Sequence, residues 1–127
     1  MAGYHTDIEK KTLANEYFRE VLFTGPNSQL VVMALKPGED IGLETHPHTD
    51  QFIRIEAGTG KAVLDGKEYE LADGSAIVIP AGAEHNVINT STSQPLKLYT
   101  VYAPPNHVDG TIHKTRAEAQ AAEEHEH

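Results

Sequence analysis

No cysteine occurs among the 127 residues. Disulfides, thiolate metal sites and cysteine nucleophiles are therefore excluded, and the redox compartment leaves no mark on the chain. Long apolar runs are missing too. The opening stretch MAGYHTDIEK has no hydrophobic core segment, so neither a signal peptide nor a membrane span is expected, and the cytoplasm is the default location. Positive charge is scarce, with 10 Lys and Arg against 19 Asp and Glu for a net charge of -9. That balance argues against binding nucleic acid through phosphates. Part of the acidity sits in the tail AEAQAAEEHEH, and the remainder serves solubility. Long-period repeats are absent, and no low-complexity segment precedes that tail.

What remains has the organisation of one domain spanning residues 1–127, with a core over about 17–103 and a C-terminal extension from 104. Residues 6–16 suit a short helix capped by Thr6 or Asp7. A series of strand-like segments follows: YFREVLFT, QLVVMALK, IGLETHPH, QFIRIEAG, TGKAVLD, KEYELA, SAIVIPAG, EHNVINT and LKLYTVYAP. Turn signals such as GPNS and PGED separate them, and Asp65–Gly66 is a strong hairpin signal. The spacing predicts an all-β sandwich or barrel. Beyond it, Thr115 and Glu118 fit a capping box that opens a second short helix, fraying into the tail.

Chemistry concentrates in two places. In ETHPHTDQ, Glu44 to Gln51, the histidines His46 and His48 stand two apart, which on a strand points both to one side. By the same parity Glu44 shares their face, as does Asp50. In GSAIVIPAGAEHNVIN, Gly74 to Asn89, a strand ends at Pro80, turns through Gly82 and meets His85 at once.

These residues together resemble the cupin superfamily. Its second motif, G-x5-P-x-G-x2-H-x3-N, is matched at every spacing by Gly74, Pro80, Gly82, His85 and Asn89. Its first motif, G-x5-H-x-H-x3,4-E-x6-G, is matched in part. His46 and His48 supply H-x-H and Gly58 the closing glycine, while Gln51 stands in the glutamate's place and the leading glycine is displaced. The gap from His48 to Gln51 is one residue short, so Gln51 and Asp50 compete for the inward position unless a bulge intervenes.

The resemblance implies a double-stranded β-helix, a jelly-roll barrel with short helical segments at both ends. It also implies one divalent metal ion (Fe, Zn, Ni or Mn) held by His46, His48 and His85, with Gln51 as a fourth or weak ligand. Neutral ligands leave the ion's charge uncompensated and strengthen it as a Lewis acid, and imidazole alone does not choose among these metals. Glu44 stands ready as the missing carboxylate or as a base. A metal-dependent enzyme for a small polar organic molecule is expected, of dioxygenase, lyase or isomerase type. The alternatives are a sugar-phosphate isomerase or epimerase, and a non-catalytic binding or sensing module. A homodimer is expected from the resemblance.

Secondary candidates complete the reading. Phe52, Ile53, Ile55, Val87, Leu98 and Tyr99 are core or pocket wall, and either Tyr99 or Tyr102 faces the cavity. Arg54 and Lys97 are the basic residues within apolar strands, with Arg54 expected to face outward beside Glu56. The segment 103–115, with His107 and His113, is either a connection packed outside the barrel or a lid over the pocket. His125 and His127 are expected to be exposed.

Overall fold

The computed structural model describes residues 2–126. Helix α1 covers Ile8–Ala14, and the Asp7 side chain caps it by accepting from the Lys10 amide. Ten strands follow: β1 Arg19–Thr24, β2 Gln29–Leu35, β3 Glu44–Thr45, β4 Asp50–Ala57, β5 Gly60–Leu64, β6 Lys67–Leu71, β7 Ala76–Ile79, β8 Glu84–Asn89, β9 Leu96–Ala103 and β10 Ile112–His113. Helix α2, Arg116–Glu126, closes the chain. The expected exposure concerns the side chain of His125, which the structure leaves undescribed, and His127, which lies outside the described residues.

The strands form two antiparallel sheets, one ordered β10-β1-β2-β9-β4-β7 and the other β3-β8-β5-β6. Their facing sides make the core, in which Val31, Met33, Leu35, Ile53, Ile55, Val87 and Leu98 are closed from solvent. Alternation assigns the faces. In β4, Gln51, Ile53 and Ile55 are buried while Phe52, Arg54 and Glu56 are not. Arg54 accordingly points outward, 3.4 Å from the Glu56 carboxylate. Strand β2 departs from alternation because both of its faces are covered. The N-terminal segment packs α1 on β2, β4 and β9. Lys97 fastens it there, donating its ammonium protons to the carbonyls of Leu13 and Asn15.

Local chemistry explains the corners. The β5–β6 hairpin turns through Asp65 and Gly66, with φ of 48° and 83°, the left-handed pair that a two-residue hairpin requires. Gly60 runs so close to the Ile88 carbonyl that a Cβ would overlap it. Asn89 pins the end of the barrel. Its amide donates to the Leu35 and Gln94 carbonyls and its oxygen accepts from the Ser91 amide.

Two elements differ from the sequence expectation. The third strand shrinks from 41–48 to Glu44–Thr45, because the chain turns at Pro47–His48. Strand β10 lies inside a segment read as a connection, pairing Arg19 with His113 and Glu20 with Ile112.

Candidate metal centre

The site begins with a cross-strand pair. Strands β3 and β8 place Glu44 directly opposite His85, so their side chains leave the sheet on one face. His46, two residues after Glu44, returns to that face. Backbone bonds fix the geometry. The Gly82 amide donates to the His46 carbonyl at 2.9 Å. The Ala81 amide donates to the Asp50 carboxylate at 2.8 Å. The Pro80–Ala83 turn is thus clasped by the segment that carries His46.

The result is a compact group in which Glu44, His46 and His85 lie close enough to bind a metal ion, their ligand atoms all within 4.8 Å of one another. The rings of His46 and His85 sit 5.1 Å apart. The Glu44 carboxylate approaches His46 Nε2 to 3.7 Å, too far for a hydrogen bond. That nitrogen is buried with no hydrogen-bond partner. His85 Nδ1 stands 3.0 Å from the Ala83 carbonyl, which only accepts, so Nδ1 carries the proton and Nε2 presents a bare lone pair. An orphaned imidazole nitrogen, an aimed lone pair and a carboxylate fit a divalent ion of the zinc, iron or nickel type.

Electrostatics follow burial. Desolvation raises the Glu44 carboxyl from 4.5 to about 7, against the lowering pull of Arg19, and Glu123 adds to the rise. Desolvation lowers His46 from 6.5 to about 4, with further lowering from His85 and Arg19.

The other sequence candidates are placed as follows. Gln51 is buried beside the core, its amide nitrogen donating to Thr100 Oγ1 at 3.0 Å and its oxygen buried without a partner. Asp50 is exposed and spends its carboxylate on the Ala81 amide. His48 is exposed on the Pro47–His48 turn and lies outside the three-residue group. Tyr102 faces inward, its ring edge-on to His46 at 5.9 Å, whereas Tyr99 packs with Phe52. Ile53, Ile55, Val87 and Leu98 belong to the core.

A cavity of about 530 Å3 opens beside the cluster, lined among others by Arg19, Glu44, His46, His107, His113 and Glu123. Within the 103–115 segment, Asn106, His107, Val108, Thr111 and His113 line that cavity. Gln29, buried in β2, holds this segment by accepting from the Asn106 and His107 amides and donating to the His107 carbonyl. His107 Nε2 lies 3.3 Å from the Tyr102 hydroxyl. Burial, helped by the Arg19 charge, lowers His107 to about 3. Burial also raises Tyr102 above its usual range, against the lowering pull of Arg19. Arg19 escaped the sequence reading, which looked for basic anchors in Arg54 and Lys97. Its parity with buried Val21 was the signal that could have found it.

Fold and site define a small antiparallel β-barrel with a histidine and carboxylate cluster at one mouth. The chain belongs to the cupin family: the model described as "Cupin domain" matches residues 31–102. It is 52% identical to the uncharacterized protein YrkC of Bacillus subtilis, over 93% of this chain and 66% of that one. A protein of Acanthamoeba polyphaga mimivirus is 48% identical over 91% of this chain and 74% of its own length. The chain thus spans about two thirds to three quarters of these relatives. The crystal structure of BH2720 from Bacillus halodurans superposes with a TM-score of 0.92 at 46% identity, covering 94% and 95% of the two chains. Among the described residues, no helix is long and apolar enough to cross a membrane.

Proposed function

We propose that this cupin binds one divalent metal ion at Glu44, His46 and His85 and acts as an enzyme on a small polar organic molecule in the adjoining cavity. The observation that carries the reading is the buried, unpartnered Nε2 of His46 beside the Glu44 carboxylate and the His85 ring. An ion there would supply a Lewis-acid or redox centre. The chain's own residues do the rest. His85 is held in the ligating tautomer by the Ala83 carbonyl. Glu44 has one oxygen 3.7 Å from His46, which leaves the other to accept a proton from a bound molecule. Gln51 adds a neutral amide oxygen, buried and unpartnered, as a further donor. His48 would join only if the Pro47–His48 turn swung inward. His107, kept neutral by burial, is a poor proton carrier at neutral pH and serves instead to orient Tyr102.

A homodimer in the cytoplasm is part of the same proposal. The edge strand β7 supports the pairing, since it leaves Val78 67% exposed.

Elemental mass spectrometry of the untagged protein, with and without residues 125–127, tests the reading. The expected result is about one divalent ion per chain in both forms. Iron would then direct assays to oxygen consumption, and zinc or nickel to oxygen-independent turnover. No ion, and no uptake of added Fe(II), Ni(II), Mn(II) or Zn(II), would leave a non-catalytic binding module instead.

A further inference from the structure

Arg19 opens β1 and is only 2% exposed. A buried guanidinium is costly unless something pairs with it. Among the described residues no carboxylate lies within 4.0 Å of it, although Glu44 and Glu123 line the same cavity. Its Nη1 meets His113 Nδ1 at 3.2 Å, which neutralises no charge, and its Nε is buried with no partner. Its Cζ rests 5.3 Å from the Phe18 ring centroid, a contact that fixes the planar head group. A rigid cation with no described carboxylate in contact thus forms part of the wall of a cavity that reaches His46.

We propose that Arg19 anchors a carboxylate group of the small molecule that this cavity takes, setting the rest of it against the Glu44–His46–His85 cluster. The assignment rests on the reading that cluster and cavity form one site. Guanidinium geometry matches a planar oxyanion through paired N–H donors. A singly charged carboxylate balances one guanidinium. A phosphate dianion would meet Glu44 and Glu123 with a single cation to offset it, and a neutral molecule would leave the guanidinium unpaired.

Calorimetric titration with acetate, pyruvate and benzoate, each beside its neutral amide, tests the anchor on the full chain after chelator treatment and again after zinc loading. At least one acid is expected to bind the chelator-treated protein, with its amide at least about tenfold weaker. Arg19→Gln should weaken that acid about tenfold or more and leave zinc stoichiometry unchanged, while His85→Ala should lose zinc and keep the acid. If Arg19→Gln does not fold, the wild type still decides. The Arg19 Nε–H resonance in a nitrogen-15 spectrum should move with the acid and not with the amide.

Equal binding of acid and amide, undiminished binding by Arg19→Gln, a still resonance, or no acid binding would each overturn the anchor. Failure of the wild type to bind zinc, with acid binding intact, would instead sink the metal reading alone.

Discussion

Glu44, His46 and His107 carry opposite pH signatures because burial penalises the charged form of each. The unfolded chain takes up protons on its histidines near pH 6.5, while folded His46 and His107 resist until about 4 and 3. Each therefore contributes stability that is present above pH 6.5 and lost as the pH falls toward those values. Glu44 runs the other way. Raised from 4.5 to about 7, its contribution is complete below pH 4.5 and lost as the pH rises to 7. Two groups against one leave the metal-free protein gaining stability from pH 4.5 to 6.5, with a net slope of about one proton. His107→Gln should flatten that rise, as read from Tm against pH, and an unchanged slope would contradict the burial account.

Residue spacing made part of this site legible. The two histidine motifs identified His46 and His85, and parity put Glu44 on their face. It did not reveal that Pro47 turns the chain so that His48 leaves the row, nor that Asp50 is occupied by the Ala81 amide. Those outcomes depend on a turn closing against residues more than thirty positions away, which local alternation does not encode.

Among the elements, strands announced by period-two burial and strong turn residues were readable in advance. The β5–β6 hairpin about Asp65–Gly66 is the clearest case. Strand β10 was not, because Ile112–His113 has strand character only through pairing with Arg19 and Glu20 far upstream. The capping box at α2 was readable from four residues. Thr115 Oγ1 accepts from the Glu118 amide at 3.1 Å, and Glu118 accepts from the Thr115 amide at 3.0 Å. Thr115→Ala should cost about 0.5–2 kcal/mol in denaturant unfolding. Gly60→Ala should be more severe, because its Cβ would meet the Ile88 backbone oxygen rather than a side chain that can move. A loss of at least about 2 kcal/mol, or failure to fold, is expected. A near-neutral Gly60→Ala would mean that β5 and β8 run further apart than described.

At the scale of the whole molecule, the barrel's two termini serve different ends. The N-terminal helix covers the outside of the large sheet and stabilises it. The C-terminal helix helps to enclose the cavity through Ala122 and Glu123. Its start is tied down by Arg116, whose Nη2 lies 2.8 Å from the Asp40 carboxylate and whose Nε donates to the Asp40 carbonyl at 2.7 Å. Asp40 in turn accepts from the Asn86 amide, beside the strand residue His85. Arg116→Ala should speed hydrogen exchange in α2 by about tenfold while leaving the barrel strands protected. Equal acceleration throughout would show that the helix and barrel open as one unit.

Metal binding at the barrel mouth requires Glu44, His46 and His85 to hold one ion together. Zinc titration of the chelator-treated wild type, His46→Ala, His85→Ala and His48→Ala, followed by calorimetry, tests it most directly. About one ion per chain is expected in the wild type and in His48→Ala, with binding abolished in His46→Ala and His85→Ala. Retained binding in either of the latter two, or its loss in His48→Ala alone, would contradict the site described.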